Sequence, residues 1–171
     1  MIPLLAVLFG LIVGSFLNVV IHRVPLNRSV VRPASHCPIC SETIQARDNI
    51  PLLSYALLQG SCRNCGVRIP ARYPLVEGSC GILFGAAAYE FGPGLQMASA
   101  FVLIAALVSL AGTDFEYRLL PNVIVVPSTL VGLALSIASD PGRWWVYPAS
   151  TIAVGGGLLG ISLAYPGGMG M

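Results

Sequence analysis

The apolar positions of this chain fall in five blocks, separated by short polar turns and by one long polar loop between the first block and the second. Residues 2–21 are almost uninterrupted hydrocarbon, the roughly 20 residues that a bilayer-spanning helix needs. No basic residue precedes this block and Arg23 follows it, which predicts an external N-terminus and argues against a cleaved signal peptide. The second block runs from about Leu75 to Tyr89 and closes at Glu90 and the Gly92-Pro93-Gly94 turn. The third covers about Leu95 to Gly112. The fourth begins near Leu119 and stops before Asp140-Pro141-Gly142; Pro121 suits its first turn, whereas Pro127 predicts a loosened or kinked helix. The fifth extends from about Trp144 to Tyr165, with Trp144, Trp145 and Tyr147 as an interfacial anchor. Its Gly155-Gly156-Gly157 run with Gly160 would let another helix approach closely, although ordinary packing is the favoured explanation.

Composition supports the membrane reading. The chain is 56% hydrophobic and 9% charged, against about 25% charged residues in soluble domains. It contains no lysine, and seven of its nine arginines (Arg23, Arg28, Arg32, Arg47, Arg63, Arg68, Arg72) lie within residues 22–73. Only Glu42 and Asp48 oppose them there, leaving a local charge of +5. Such a loop belongs on the cytoplasmic side of the membrane. In a soluble protein the same patch would suggest nucleic acid or anionic headgroups; in a chain this apolar, topology is the sufficient explanation and no nucleic-acid partner is expected.

The long loop also carries the most specific chemistry in the chain, a pair of Cys-x-x-Cys knuckles at Cys37/Cys40 and Cys62/Cys65 with 21 residues between them. Each knuckle places two thiolates on one tight turn, and two knuckles supply the four soft ligands of a tetrahedral structural Zn2+. Two disulfides, or four reduced thiols without metal, are the alternatives. A cytoplasmic loop is kept reduced, which favours the metal. Cys80 sits among Gly78, Gly81 and Leu83 and reads as a small core hydrophobe. The expected architecture is an all-α polytopic membrane protein of about five helices. It divides into a first helix (1–21), a four-cysteine zinc-binding domain (22–73) and a membrane domain of four further helices (74–171).

Among the seven acidic residues, Glu90 and Asp140 fall at external turns where solvation explains them. Asp114 does not. It follows the third block directly, at the cytoplasmic boundary, where a carboxylate is costly unless hydrated, paired or used. Its plain alternative is a surface pair with Arg118, one helical turn on.

Several ordered strings resemble the prepilin leader peptidases of type IV pilus and type II secretion systems, which are intramembrane aspartyl proteases of the GxGD kind. They are Gly14-Ser15-Phe16-Leu17-Asn18-Val19-Val20-Ile21-His22-Arg23-Val24-Pro25, Ser35-His36-Cys37-Pro38-Ile39-Cys40, Asp48-Asn49-Ile50-Pro51-Leu52-Leu53-Ser54-Tyr55, Cys62-Arg63-Asn64-Cys65-Gly66 and Ala71-Arg72-Tyr73-Pro74-Leu75-Val76-Glu77. The run from Asp114 through Pro121 resembles the family's first catalytic motif, an aspartate followed by an acidic residue and then Leu-Leu-Pro.

The resemblance implies that Asp114 is the first catalytic aspartate of an aspartic-type endopeptidase and that Cys37, Cys40, Cys62 and Cys65 are zinc ligands. It implies an enzyme of the bacterial inner membrane that cuts the leader from type IV pilin-like or pseudopilin precursors at the cytoplasmic face. Bifunctional relatives then N-methylate the new amino terminus with S-adenosylmethionine. That cofactor is implied by the resemblance alone, since the chain has no strand-to-helix Gly-x-Gly motif. The string Pro166-Gly167-Gly168-Met169-Gly170-Met171 resembles the approach to the glycine-rich motif that carries the second catalytic aspartate. The chain is therefore expected to be an N-terminal portion of such an enzyme, inactive by itself. His22, Asn18 and Glu77, at span ends, are expected to be structural anchors. The alternative is a non-catalytic zinc-containing membrane protein, or a degenerate copy, that binds a partner through its zinc domain.

Overall fold

The computed structural model describes residues 1–164. It is built from five long helices, α1 (Ile2–Arg23), α3 (Arg72–Phe91), α4 (Leu95–Tyr117), α5 (Asn122–Ser139) and α6 (Val146–Ala164), with a short α2 (Leu53–Leu57) inside the loop between α1 and α3. The five apolar blocks thus each form a helix. By length and composition α1, α4 and α5 are long and apolar enough to cross a membrane. Among the described residues α3 and α6 do not join them, so the expected count of five spans holds for helices and for only three clear membrane candidates. Helix α3 carries Arg72, Glu77 and Glu90, which lower its hydropathy. Tyr165 and the Pro166–Met171 string lie outside the described residues.

The core is a seam between α1 and α3. Small or buried residues recur on α1 at Ala6, Gly10, Gly14 and Asn18, a four-residue spacing that lines one helix face. A methyl group at Gly10 would meet the carbonyl oxygen of Cys80 at 2.5 Å, and one at Gly14 would meet Glu77 Cα at 2.7 Å. Gly81 and Gly85 answer from α3, receiving Leu11 and Val7. This is the small-residue packing by which membrane helices approach closely when hydrocarbon on both sides removes the hydrophobic drive. The Gly155–Gly157 and Gly160 run of α6 has no neighbour within 4 Å among the described residues.

Above and below the seam, Leu17, Ile21, Val76 and the fully buried Cys80 form one cluster, and Ala6, Phe84 and Ala88 form another. Cys80 packs as a small hydrophobe, as expected. Helix α4 closes the second cluster through Phe101, which stacks on Phe84 with ring centroids 4.2 Å apart. Helix α5 lies against α4 and buries no residue, and α1 turns Leu4, Leu5, Leu8 and Ile12 outward. Apolar residues on the outside and small residues inside are the distribution expected of a bundle bathed in lipid.

Two boundaries differ from the sequence reading. Helix α4 runs to Tyr117, five residues past the expected end at Gly112, because Thr113 is fully buried and satisfies its hydroxyl on the Leu110 carbonyl at 3.0 Å. Asp114 therefore lies in the last turn of α4, not after it. Leu119, Leu120 and Pro121 form a connector, with α5 starting at Asn122 rather than near Leu119. Pro127 stands inside α5.

Candidate active site and metal centre

The loop between α1 and α3 folds around its two knuckles by repeating one motif. In the first, Cys37 N–H donates to the Glu42 carbonyl (2.9 Å), Ser41 N–H to Cys37 (2.9 Å) and Ile44 N–H to Ser35 (2.9 Å). In the second, Cys62 N–H donates to Val67 (2.8 Å), Gly66 N–H to Cys62 (3.0 Å) and Ile69 N–H to Gly60 (2.7 Å). Every partner in the second set lies 25 positions after its counterpart. The residue after each second cysteine turns the chain through the left-handed region, Ser41 at φ 57° and Gly66 at φ 70°. Isolated bridges His36–Thr43 and Ser61–Arg68 close the two turns.

This duplication brings four sulfurs together. Cys37 Sγ is 3.8 Å from Cys65 Sγ, Cys40 Sγ is 4.0 Å from Cys62 Sγ, and all four lie within 4.8 Å of one another. Zn–S bonds of about 2.3 Å in a tetrahedron place sulfurs about 3.8 Å apart, so the donor set fits a zinc site. A disulfide needs about 2.05 Å, and all five cysteines are free. Backbone hydrogen bonds from Cys40 and Ile39 lower the Cys37 thiol to about 6. The Cys40 thiol gains a lowering backbone hydrogen bond at Glu42, yet desolvation and its thiol neighbours push it up to about 12. Four thiols this close do not all ionise without a cation.

The knuckle domain is tied down at both ends. Asp48 receives a two-pronged hydrogen bond from Arg63 (2.6 Å from Nη2, 3.0 and 3.1 Å from Nε), joining the turn before α2 to the second knuckle. The Arg63 hydrogen bond holds the Asp48 carboxyl below its ordinary range. Buried Glu77, on α3, accepts the Leu52 N–H at 2.8 Å, so the membrane bundle grips the domain through one carboxylate. Asn18 Nδ2 donates to the Gly14 and Tyr73 carbonyls at 3.3 and 3.2 Å. His22 Nδ1 lies 3.1 Å from Tyr117 Oη. Each of these three polar residues thus ties its helix to another element.

These contacts gather the end of α1, the start of α3 and the end of α4 at the same end of the bundle as the cysteine domain. Asp114 sits there, exposed, on the turn that two latches hold. Glu116 pairs with Arg72 of α3, and Tyr117 meets His22 of α1. The alternative surface pair with Arg118 does not form. Arg118 adopts a left-handed C-cap (φ 52°) and gives its backbone N–H, rather than its guanidinium, to the Asp114 carbonyl at 2.8 Å. Among the described residues Asp114 has no ion pair, while Asp48, Glu116 and Asp140 all have one.

Residues 8–91 match the profile of the bacterial peptidase A24 N-terminal domain, and residues 101–171 match that of the type IV leader peptidase family. This chain belongs to the type IV leader peptidase family. A prepilin leader peptidase/N-methyltransferase of Myxococcus xanthus (strain DK1622) is 50% identical over 137 residues, covering 78% of this chain and 41% of that protein. Proteins of the same name from Klebsiella pneumoniae and Bacillus subtilis (strain 168) are 42% and 40% identical, over 77% and 70% of this chain and 60% and 48% of their own lengths. The chain thus spans about half the length of the curated relatives it matches. No solved structure matches it.

Membership of the leader peptidase family fits an all-helical membrane protein with a four-cysteine cluster. Two features of the site were not singled out in the sequence: the 25-residue duplication, visible as aligned Cys-x-x-Cys-x-x-x-Ile strings, and Arg72, which the topological rule covers along with the other arginines.

Proposed function

We propose that this chain is part of a prepilin leader peptidase and that Asp114 is one of its two catalytic carboxylates. The observation that carries this reading is the state of the last turn of α4. Glu116 and Tyr117 are engaged by α3 and α1, and Asp114 between Thr113 and Glu116 is left exposed and uncommitted at the end of the bundle that bears the cysteine domain. Peptide hydrolysis by a dyad needs one carboxylate ionised, to take a proton from water, and one protonated, to polarise the scissile carbonyl. Asp114 supplies one of these groups. Glu116 does not supply the other, because it is paired with Arg72 and lies two positions away on a helix. The second aspartate belongs to the glycine-rich motif of the family.

The arginine-rich end of the bundle faces the cytoplasm of a bacterial inner membrane, and leaders of type IV prepilins or pseudopilins are cut there. Cys37, Cys40, Cys62 and Cys65 hold one structural zinc ion, which fixes the domain at residues 22–73. N-methylation of the product with S-adenosylmethionine belongs to the same reading, through the name that the relatives carry. Complementation tests the proposal. In bacteria lacking their own prepilin peptidase, this chain joined to the C-terminal remainder of its Myxococcus xanthus relative should convert prepilin to the shorter mature form on an immunoblot. Unprocessed prepilin, with the fusion present in the membrane, would reject it.

A further inference from the structure

Arg72 fits the topological rule along with six other arginines, but its placement goes beyond that rule. It is the first residue of α3, its side chain is mostly buried, and it pairs with Glu116, one position before Tyr117 on the turn that carries Asp114. Its guanidinium also stacks over the Tyr73 ring at 4.9 Å, and its Nε and Nη1 are both buried without a hydrogen-bond partner, so that Nη1 meets Glu116 as an ion pair alone. A cation taken this far from water is retained at a cost unless its charge is used.

We propose that Arg72 is a positioning residue for the peptidase reaction, acting through Glu116 to set the orientation and the charge environment of Asp114. This rests on the assignment of Asp114 above. The geometric part follows from the two latches. Arg72 holds the last turn of α4 to α3 while His22 holds it to α1, so Asp114 cannot swing with a fraying helix end. The electrostatic part follows from the charges at this end. Helix α4 offers Glu116, Tyr117 and Arg118; α1 offers His22 and Arg23, with Arg28 beyond it; α3 offers Arg72 and Tyr73, with Glu77 further along and engaged by the Leu52 N–H; and α5 has no ionisable residue. Glu116 is the one carboxylate on Asp114's own turn, and Arg72 is the cation bound to it. With the pair intact, Glu116 is neutralised. Without Arg72 it is a bare like charge two residues away, at the negative end of the α4 macrodipole.

The two charges give opposite signs, which makes the idea testable. In the catalytically complete fusion described above, Arg72→Gln should move the acidic limb of the pH–rate profile up by about half to one pH unit, since lost cations and new anions disfavour a second carboxylate. Glu116→Gln should move the same limb down, because Arg72 is then unpaired. The double variant should lie close to the unsubstituted profile, and Arg72→Lys should keep it. Should Arg72→Gln fail to accumulate, the downward shift in Glu116→Gln alone carries the test. An acidic limb that stays put in both single variants, or a double variant that matches Arg72→Gln, overturns the inference. Full activity of Asp114→Asn would instead overturn the assignment on which it rests.

Discussion

Replacing Gly10 and Gly14 by alanine probes the α1–α3 seam with one methyl group each. The added carbons would lie 2.5 Å from the Cys80 carbonyl oxygen and 2.7 Å from Glu77 Cα. Both obstacles are backbone and cannot rotate away, so the helices must separate. Overpacking of this kind costs about 1–3 kcal/mol per site. Alanine in place of glycine returns up to about 1 kcal/mol of helix propensity. A net loss of roughly 1 kcal/mol per site corresponds to about a fivefold larger open population. Cys80 reports that opening, being fully buried in the seam with its Cβ 3.1 Å from the position of a Gly14 methyl. In zinc-loaded protein, maleimide labelling of Cys80 read by mass spectrometry should therefore accelerate about fivefold in each single variant and more in the double. Gly155→Ala, with no neighbour within 4 Å among the described residues, should leave the rate unchanged. Unaltered labelling and thermal stability in the double variant would refute the close packing of α1 on α3.

The knuckle geometry predicts about one zinc per purified chain under reducing conditions, and its loss in Cys37→Ser/Cys62→Ser with the helices still inserted; elemental analysis and protease sensitivity of residues 24–71 check both. The Asp48–Arg63 contact predicts a pH dependence of the same domain. A carboxyl held below its ordinary range stabilises the fold above its unfolded value near 4 and loses that contribution as pH falls further, so the domain should loosen below about pH 4, and Asp48→Asn should remove that part of the transition. The seven arginines of residues 22–73 predict that reporters fused within the knuckle domain or after Tyr117 read as cytoplasmic and those at Pro93 or Asp140 as external. A reversed pattern would remove the topology.

Much of this architecture was legible in the sequence because a bilayer imposes long apolar blocks, and each block became a helix. The cysteine cluster was legible for a related reason, since thiolate ligands at a three-residue spacing have few other uses. What escaped was what depends on the facing partner. Thr113 to Tyr117 look like the polar start of a loop, yet Thr113 turns into the bundle and Glu116 and Tyr117 find Arg72 and His22, so the helix continues through them. Gly155 to Gly157 advertise close packing and have none among the described residues. Gly10 and Gly14, scattered among large residues, are the ones that α3 approaches. Arg72 was hidden by company: six other arginines nearby satisfy the same topological rule, and only its pairing with Glu116 separates it from them.

The most direct test of the account is cleavage of a purified prepilin by the fused, catalytically complete protein, compared with its Asp114→Asn variant in the same detergent and at the same zinc content. The account predicts a product shortened by the leader in the first case. In the second it predicts no detectable cleavage, with one zinc still bound and thermal stability unchanged. Cleavage by Asp114→Asn at the rate of the unsubstituted protein would contradict it.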